Sequence, residues 1–258
     1  MIEEGSDLWN CAVQVERSDP ERFATVMAAP VAARAVLFPI YAFNAEVSRA
    51  PWVTAEPMIA EMRLQWWRDV LDEIATGGPV RRHEVATPLA ALLDKEACAV
   101  LDALIEARRA DIERAPFGDE AALWAYLEAT GGGLMTVSAR ALGEPYGRRA
   151  QAAGTALALA NYLRAVPELE ARGKLPLPDG RPEALRALAQ RGLDLLQQAR
   201  RAPGVSGTAR AALMPASIAG AMLRRVRARP AHVADGTVMP PEAAVRWARL
   251  RASLRGGF

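Results

Sequence analysis

At 258 residues, 51% hydrophobic and 24% charged, the chain can bury a core of its own in one large domain or two small ones. A formal net charge of +2 excludes a strongly basic nucleic-acid binder. Cys11 and Cys98 lie far apart with no Cys-x-x-Cys spacing, and His83 and His232 are the only histidines, which excludes a structural zinc site and suits a reduced cytosolic setting.

Frequent alanine and few aromatics favour helix over sheet. The opening Met1-Ile2-Glu3-Glu4-Gly5-Ser6-Asp7 is acidic and has no apolar stretch, so it reads as neither signal nor transit peptide. Asp19-Pro20 is an N-cap followed by a first-turn proline, opening a helix through Phe23 and Met27. A second helix runs from about Val31 to Arg49, with Pro39 placed to kink or split it and Pro51 to end it near Ala50. The next starts near Pro57. Ile59, Met62, Trp66 and Val70 form one apolar stripe, Trp67, Leu71 and Ile74 a second beside it, and Gly77-Gly78-Pro79 ends it.

Further helices are expected near Leu89–Ile112, Glu120–Leu142 (interrupted by Gly131-Gly132-Gly133), Arg148–Val166, Pro182–Arg201, Thr208–Arg229 and Pro241–Arg255. No segment alternates with period two between hairpin turns. The longest uncharged candidate for a membrane span, Ala211 to Leu223, is too short and contains Pro215, so the chain is expected to be cytoplasmic and at most peripheral to the inner membrane.

Two segments stand out. Tyr41-Ala42-Phe43-Asn44-Ala45-Glu46-Val47-Ser48-Arg49-Ala50-Pro51-Trp52 is followed by Arg63-Leu64-Gln65-Trp66-Trp67-Arg68-Asp69. Asn161-Tyr162-Leu163-Arg164-Ala165-Val166-Pro167-Glu168-Leu169 is followed by Gly173-Lys174 and Leu177-Pro178. In these segments the chain resembles the squalene/phytoene synthase family. The resemblance implies an all-α, single-domain, isoprenoid-synthase-like helical bundle over residues 1–258.

Active members of that family carry two aspartate-rich motifs on facing helices. Magnesium takes hard oxygen ligands, so such carboxylates hold the ions that neutralise a substrate diphosphate and help it leave. The resemblance places the first motif at Ser48, Arg49 and Trp52, and the second at Ala165, Glu168 and Leu169, where Glu168 is the one acid kept. Lys174 stands for a family arginine. The pattern resembles a non-catalytic branch that includes the mitochondrial complex I assembly factor of the family and its bacterial relatives. That resemblance implies a protein with no metal and no cofactor that acts by binding a protein partner or a lipid or isoprenoid ligand. The alternative is a prenyl-diphosphate transferase joining two isoprenoid diphosphates, which would need Mg2+.

Tyr41, Asn44, Asn161, Arg164 and Lys174 are candidate pocket residues. Arg164 and Lys174 either hold an anion without metal, or form an Arg164–Glu168 pair beside a solvated Lys174. Tyr41, Asn44 and Asn161 either line a pocket or are satisfied buried polar groups holding helices in register. Trp66 and Trp67 read as core rather than as cavity lining. Asp111, near Arg108 and Arg109, reads as a salt-bridge partner, and Gly131–Gly133 as a helix break or a close-packing site. In the last helix Ala243, Trp247, Leu250 and Leu254 form an apolar stripe among Arg246, Arg249, Arg251 and Arg255. It reads first as a surface helix packing that stripe on the domain, and second as a basic amphipathic helix making peripheral contact with an anionic membrane.

Overall fold

The computed structural model describes residues 3–54, 56–113, 115–144, 147–205 and 207–255, the last of these by its backbone. It is all-α, with no strand among the described residues. The helices are α1 (Asp7–Ser18), α2 (Pro20–Ala28), α3 (Val31–Arg49), α4 (Pro57–Thr76), α5 (Ala86–Ala90), α6 (Lys95–Arg108), α7 (Glu120–Leu127), α8 (Gly133–Ala141), α9 (Arg148–Ala171), α10 (Pro182–Arg201), α11 (Ala219–Ala228) and α12 (Glu242–Arg255). Helix α9 is the axis of the domain. It buries Ala153, Ala156, Leu159, Ala160 and Leu163 and packs against α7, α8, α10 and α11. Helix α3 forms the second wall, burying Leu37, Phe38, Phe43 and Val47 against α1, α2, α4 and α8.

Caps fix several starts. The Asp19 carboxylate accepts the Arg22 amide at 2.9 Å, as Asp19-Pro20 predicts. Gly77, at φ 70°, closes α4 in the left-handed conformation that glycine adopts without strain. Pro51 ends α3 in a 3-10 turn over Ala50–Trp52, whereas Pro39 neither splits nor ends it.

Other boundaries depart from the sequence reading. Helix α1 has no counterpart in it; Ser6 caps it by accepting the Trp9 amide at 3.2 Å, and Cys11, Ala12 and Val15 bury it. The expected Leu89–Ile112 helix is two, because Asp94 leaves the helical conformation and caps α6 through the Ala97 amide. Thr208–Arg229 is also two elements, a 3-10 segment over Gly207–Ile218 and α11; Pro215 inside the first cannot donate the backbone bond an α-helix needs. Pro167 does not stop α9, which runs on to Ala171 and closes on Gly173 at φ 79°, with the Lys174 amide reaching back to the Leu169 carbonyl at 3.0 Å. On α4, the Ile59–Met62 end of the expected stripe is exposed; the buried face is Ala60, Leu64, Trp67, Val70 and Leu71.

Gly131–Gly133 is both a break and a close-packing site. Residues Glu128–Gly132 form a π turn between α7 and α8. A Cβ on Gly131 would stand 2.7 Å from the Gly154 carbonyl oxygen of α9, and closer still to the Ala158 side chain. Only glycine lets the two backbones approach this far.

Candidate functional site

Helices α3 and α9 face each other across a cavity of about 340 Å3. From α3 come Asn44 and Ser48, spaced by four residues and therefore on one face, and from the 3-10 turn that follows comes Trp52. From α9 come Asn161, Ala165, Glu168 and Leu169, again one face, and from its C-cap comes Arg172. The walls between are Tyr126, Leu127 and Thr130 from α7 and the π turn, with Tyr162 beside them. Three arginines line the cavity, Arg22, Arg108 and Arg172.

The floor is a buried ionic network. The Lys174 ammonium donates to the Ala110 carbonyl at 2.7 Å and to Asp111 Oδ1 at 3.1 Å. Arg108 Nη1 donates to Asp111 Oδ2 at 3.1 Å and to the Tyr126 hydroxyl at 2.5 Å, and that hydroxyl donates to Asp111 Oδ2 at 2.8 Å. Burial pushes the Tyr126 phenol well above its usual range, with Arg108 partly opposing, so it remains a donor. The Tyr162 hydroxyl, also raised by burial, donates to the Pro176 carbonyl at 2.7 Å and fastens the segment after α9 under the site.

The carboxylates lining the cavity, Asp111 and Glu168, are both engaged. Asp111 is shared by Lys174, Arg108 and Tyr126, and Glu168 pairs with Arg172 at 2.5 Å. Arg172 and Lys174 also approach the Trp52 ring, 5.1 and 6.0 Å from its centroid. Arg22 lies over the Tyr41 ring at 4.8 Å, and its buried Nη1 has no hydrogen-bond partner. It also borders two smaller voids, of about 30 and 20 Å3, that continue the cavity past Asn161.

The expected pocket residues are thus only partly brought together. Asn44 and Asn161 line the main cavity; buried Tyr41 lines only the smaller void beside Arg22. Ser48, Trp52, Ala165, Glu168 and Leu169 all face the main cavity, while Arg49 points outward and pairs with Glu46 at 2.9 Å. Lys174 is not solvated but buried, 3% exposed, because Asp111 compensates its charge. Arg164 does not join it. It stands about 60° round α9 from Asn161, is exposed, and borders the smallest void beside Asp19 and Glu21. Glu168 pairs with Arg172 in place of Arg164.

Trp67 is core, edge-on to Phe43 at 5.2 Å, and Trp66 packs edge-on against it at 4.8 Å. Asp111 is an ion-pair partner as expected, but of Arg108 and Lys174; Arg109 turns to Glu61 at 3.3 Å. Sequence reasoning missed Arg22, Tyr126 and Arg172. For Arg172 a signal existed, its spacing of four from Glu168; for Arg22 on a separate helix there was none.

A squalene/phytoene synthase family profile matches residues 15–180. The fold is that of a dehydrosqualene synthase crystallised with ligand, TM-score 0.72 over 97% of this chain and 95% of that one, at 13% identity. It is shared with squalene synthase HpnC from Alicyclobacillus acidocaldarius, TM-score 0.66 over 86% and 94%, at 20% identity. A Drosophila melanogaster homolog of NADH dehydrogenase (ubiquinone) complex I assembly factor 6 is 38% identical over 65 residues, which is 25% of this chain and 20% of that protein. The domain is thus of the all-α isoprenoid-synthase type. The chain belongs to the squalene/phytoene synthase family.

Proposed function

We propose that this chain is a non-catalytic member of its family that works by binding, and that the cavity between α3 and α9 takes a phosphate-bearing group without a divalent metal. The observation that carries the reading is the side-chain chemistry of the two facing helices. Ser48, Trp52, Ala165 and Leu169 line the cavity at positions where the family's metal chemistry calls for carboxylates. Magnesium needs hard oxygen ligands that are free to bind it. Asp111 and Glu168 are committed to arginine and lysine, so the donor set does not fit the ion. The guanidinium groups of Arg22, Arg108 and Arg172 supply instead the fixed positive charge and N–H donors that a phosphate accepts.

A role in assembling a respiratory complex is the form of binding that the assembly-factor relative supports. In that role the cavity would hold a phosphate-bearing lipid or isoprenoid, and the outer surface would meet the partner. No covalent step by this chain is part of the reading.

The test is calorimetric titration of the purified protein with inorganic diphosphate in EDTA, beside incubation with farnesyl or geranylgeranyl diphosphate and magnesium. Metal-independent binding, weakened several-fold in Arg172→Gln, with no diphosphate released from either substrate, is the expected result. Turnover with magnesium would establish the transferase activity instead. Absence of diphosphate binding would remove the anion site.

A further inference from the structure

Helix α12 presents one apolar stripe away from the protein. Its packed side is settled by Val245 and Ala252, which are buried, and by Arg249, whose guanidinium bonds Glu21 of α2 at 2.9 Å. On the opposite side Ala243, Trp247, Leu250 and Leu254 are spaced by four, three and four residues, which at 100° per residue keeps them within a sector of about 60°. All four are exposed, Trp247 by 65% and Leu254 by 78%. The sequence reading that packs this stripe on the domain is therefore reversed. Val245 and Ala252 are buried, Ala248 packs beside them, and the stripe stands about 180° round from Val245 and Ala252.

Charge is arranged around the stripe. Arg246 and Arg251 are exposed and lie about 70° to either side of its centre. Glu242, the acid of this helix, stands further round and pairs with Arg246. The side chain of Arg255 lies outside the described residues. The exposed side is thus an apolar ridge about 16 Å long, edged on both sides by arginine.

We propose that α12 docks the protein on an anionic lipid bilayer, with its axis in the plane of the surface. Trp247, Leu250 and Leu254 enter the boundary between headgroups and acyl chains, and Arg246 and Arg251 meet lipid phosphates on either side. Charge complementarity favours this occupant. A second copy of the chain would set the flanking Arg246 and Arg251 against the same two residues. A planar anionic surface accepts a ridge along its whole length and pairs both arginines at once. Indole is also suited to that boundary, having an apolar body and one N–H donor. No described helix is long and apolar enough to cross a membrane, so docking is peripheral.

The experiment is flotation of the full chain with vesicles of phosphatidylcholine alone or with phosphatidylglycerol added. Wild type is expected to float with the anionic vesicles, less so as salt rises. Trp247→Ser combined with Leu250→Ser and Leu254→Ser should lower partitioning about tenfold or more. Arg246→Gln with Arg251→Gln should remove the preference for anionic vesicles. These side chains are exposed, so every variant should keep the wild-type melting temperature, which separates lost docking from lost folding. The proposal is overturned if wild type fails to float with anionic vesicles, or if the triple variant floats as wild type does. It is equally overturned if the face pairs two copies, seen as dimerisation that the triple variant abolishes while vesicle binding persists.

Discussion

Lys174 and Asp111 are 3% and 5% exposed, so each charge depends on the other for compensation. Lys174→Met keeps the length of the stem and removes the ammonium. It leaves Asp111 with a single cation, Arg108, and the Ala110 carbonyl without its donor. Unfolding in urea should show a loss of about 3 kcal/mol, the cost of breaking a buried pair from one side; an unchanged midpoint would mean that Arg108 and Tyr126 satisfy Asp111 alone. The role of Lys174 was only half legible in the sequence. Its position after Gly173 follows the family pattern. Its partner lies 63 residues earlier on another element, and no local spacing announces a bond of that span. For the same reason Arg164 and Lys174 look alike in the sequence and are opposite in the structure. One is exposed on the flank of α9, the other enclosed beneath its end.

Among elements, the joint between the π turn and α9 is the least forgiving. Gly131 and Gly154 each occupy the space a Cβ on the other would need. Gly131→Ala and Gly154→Ala should each cost about 2 kcal/mol or more, as overpacking does where neither neighbour can yield. The obstruction at Gly154 is backbone, the Gly131 carbonyl, so relaxation must move a whole helix. Thermal melts of the two single variants and the double test this, and the double should lose less than the sum because one separation of the helices relieves both clashes. Additive losses would argue that the two glycines act apart. Helix starts were legible in part: Asp19-Pro20 announces its cap by a local rule, while Asp94 and Asp119 cap by the same rule inside stretches that read as continuous or unmarked. Continuity through Pro167 was not. A proline near the end of α9 removes one bond, and the closing turn at Gly173 holds the last helical residues in place.

At the scale of the molecule, the cavity is assembled from α2, α3, α7, the π turn, α8, α9 and the end of α6. A ligand that bridges them stabilises the folded domain as a unit. Diphosphate at a hundred times its dissociation constant should add about 2.7 kcal/mol, raising the melting temperature by about 5–10 °C. The rise should persist in EDTA; a rise that appears only when magnesium is added would contradict metal-free binding. The all-α fold was readable because helical spacing recurs along the chain and no segment alternates with period two. The cavity was not, because which helices face each other is settled by packing along α9 rather than by any single segment.

The π turn has a consequence for chain length as well as for residue choice. It carries one residue more than an α-helical turn would. Deleting a single position within 128–132 would restore an unbroken ladder of backbone bonds. It would also turn everything downstream by about 100° relative to α7. Leu134 would leave the cavity wall, and Val137 and Ser138 would leave their buried places. The stretch at 128–132 should therefore tolerate no change of length, while the loop at 179–181, closed on its own Asp179–Arg181 pair and exposed at Gly180 and Arg181, should accept an added residue.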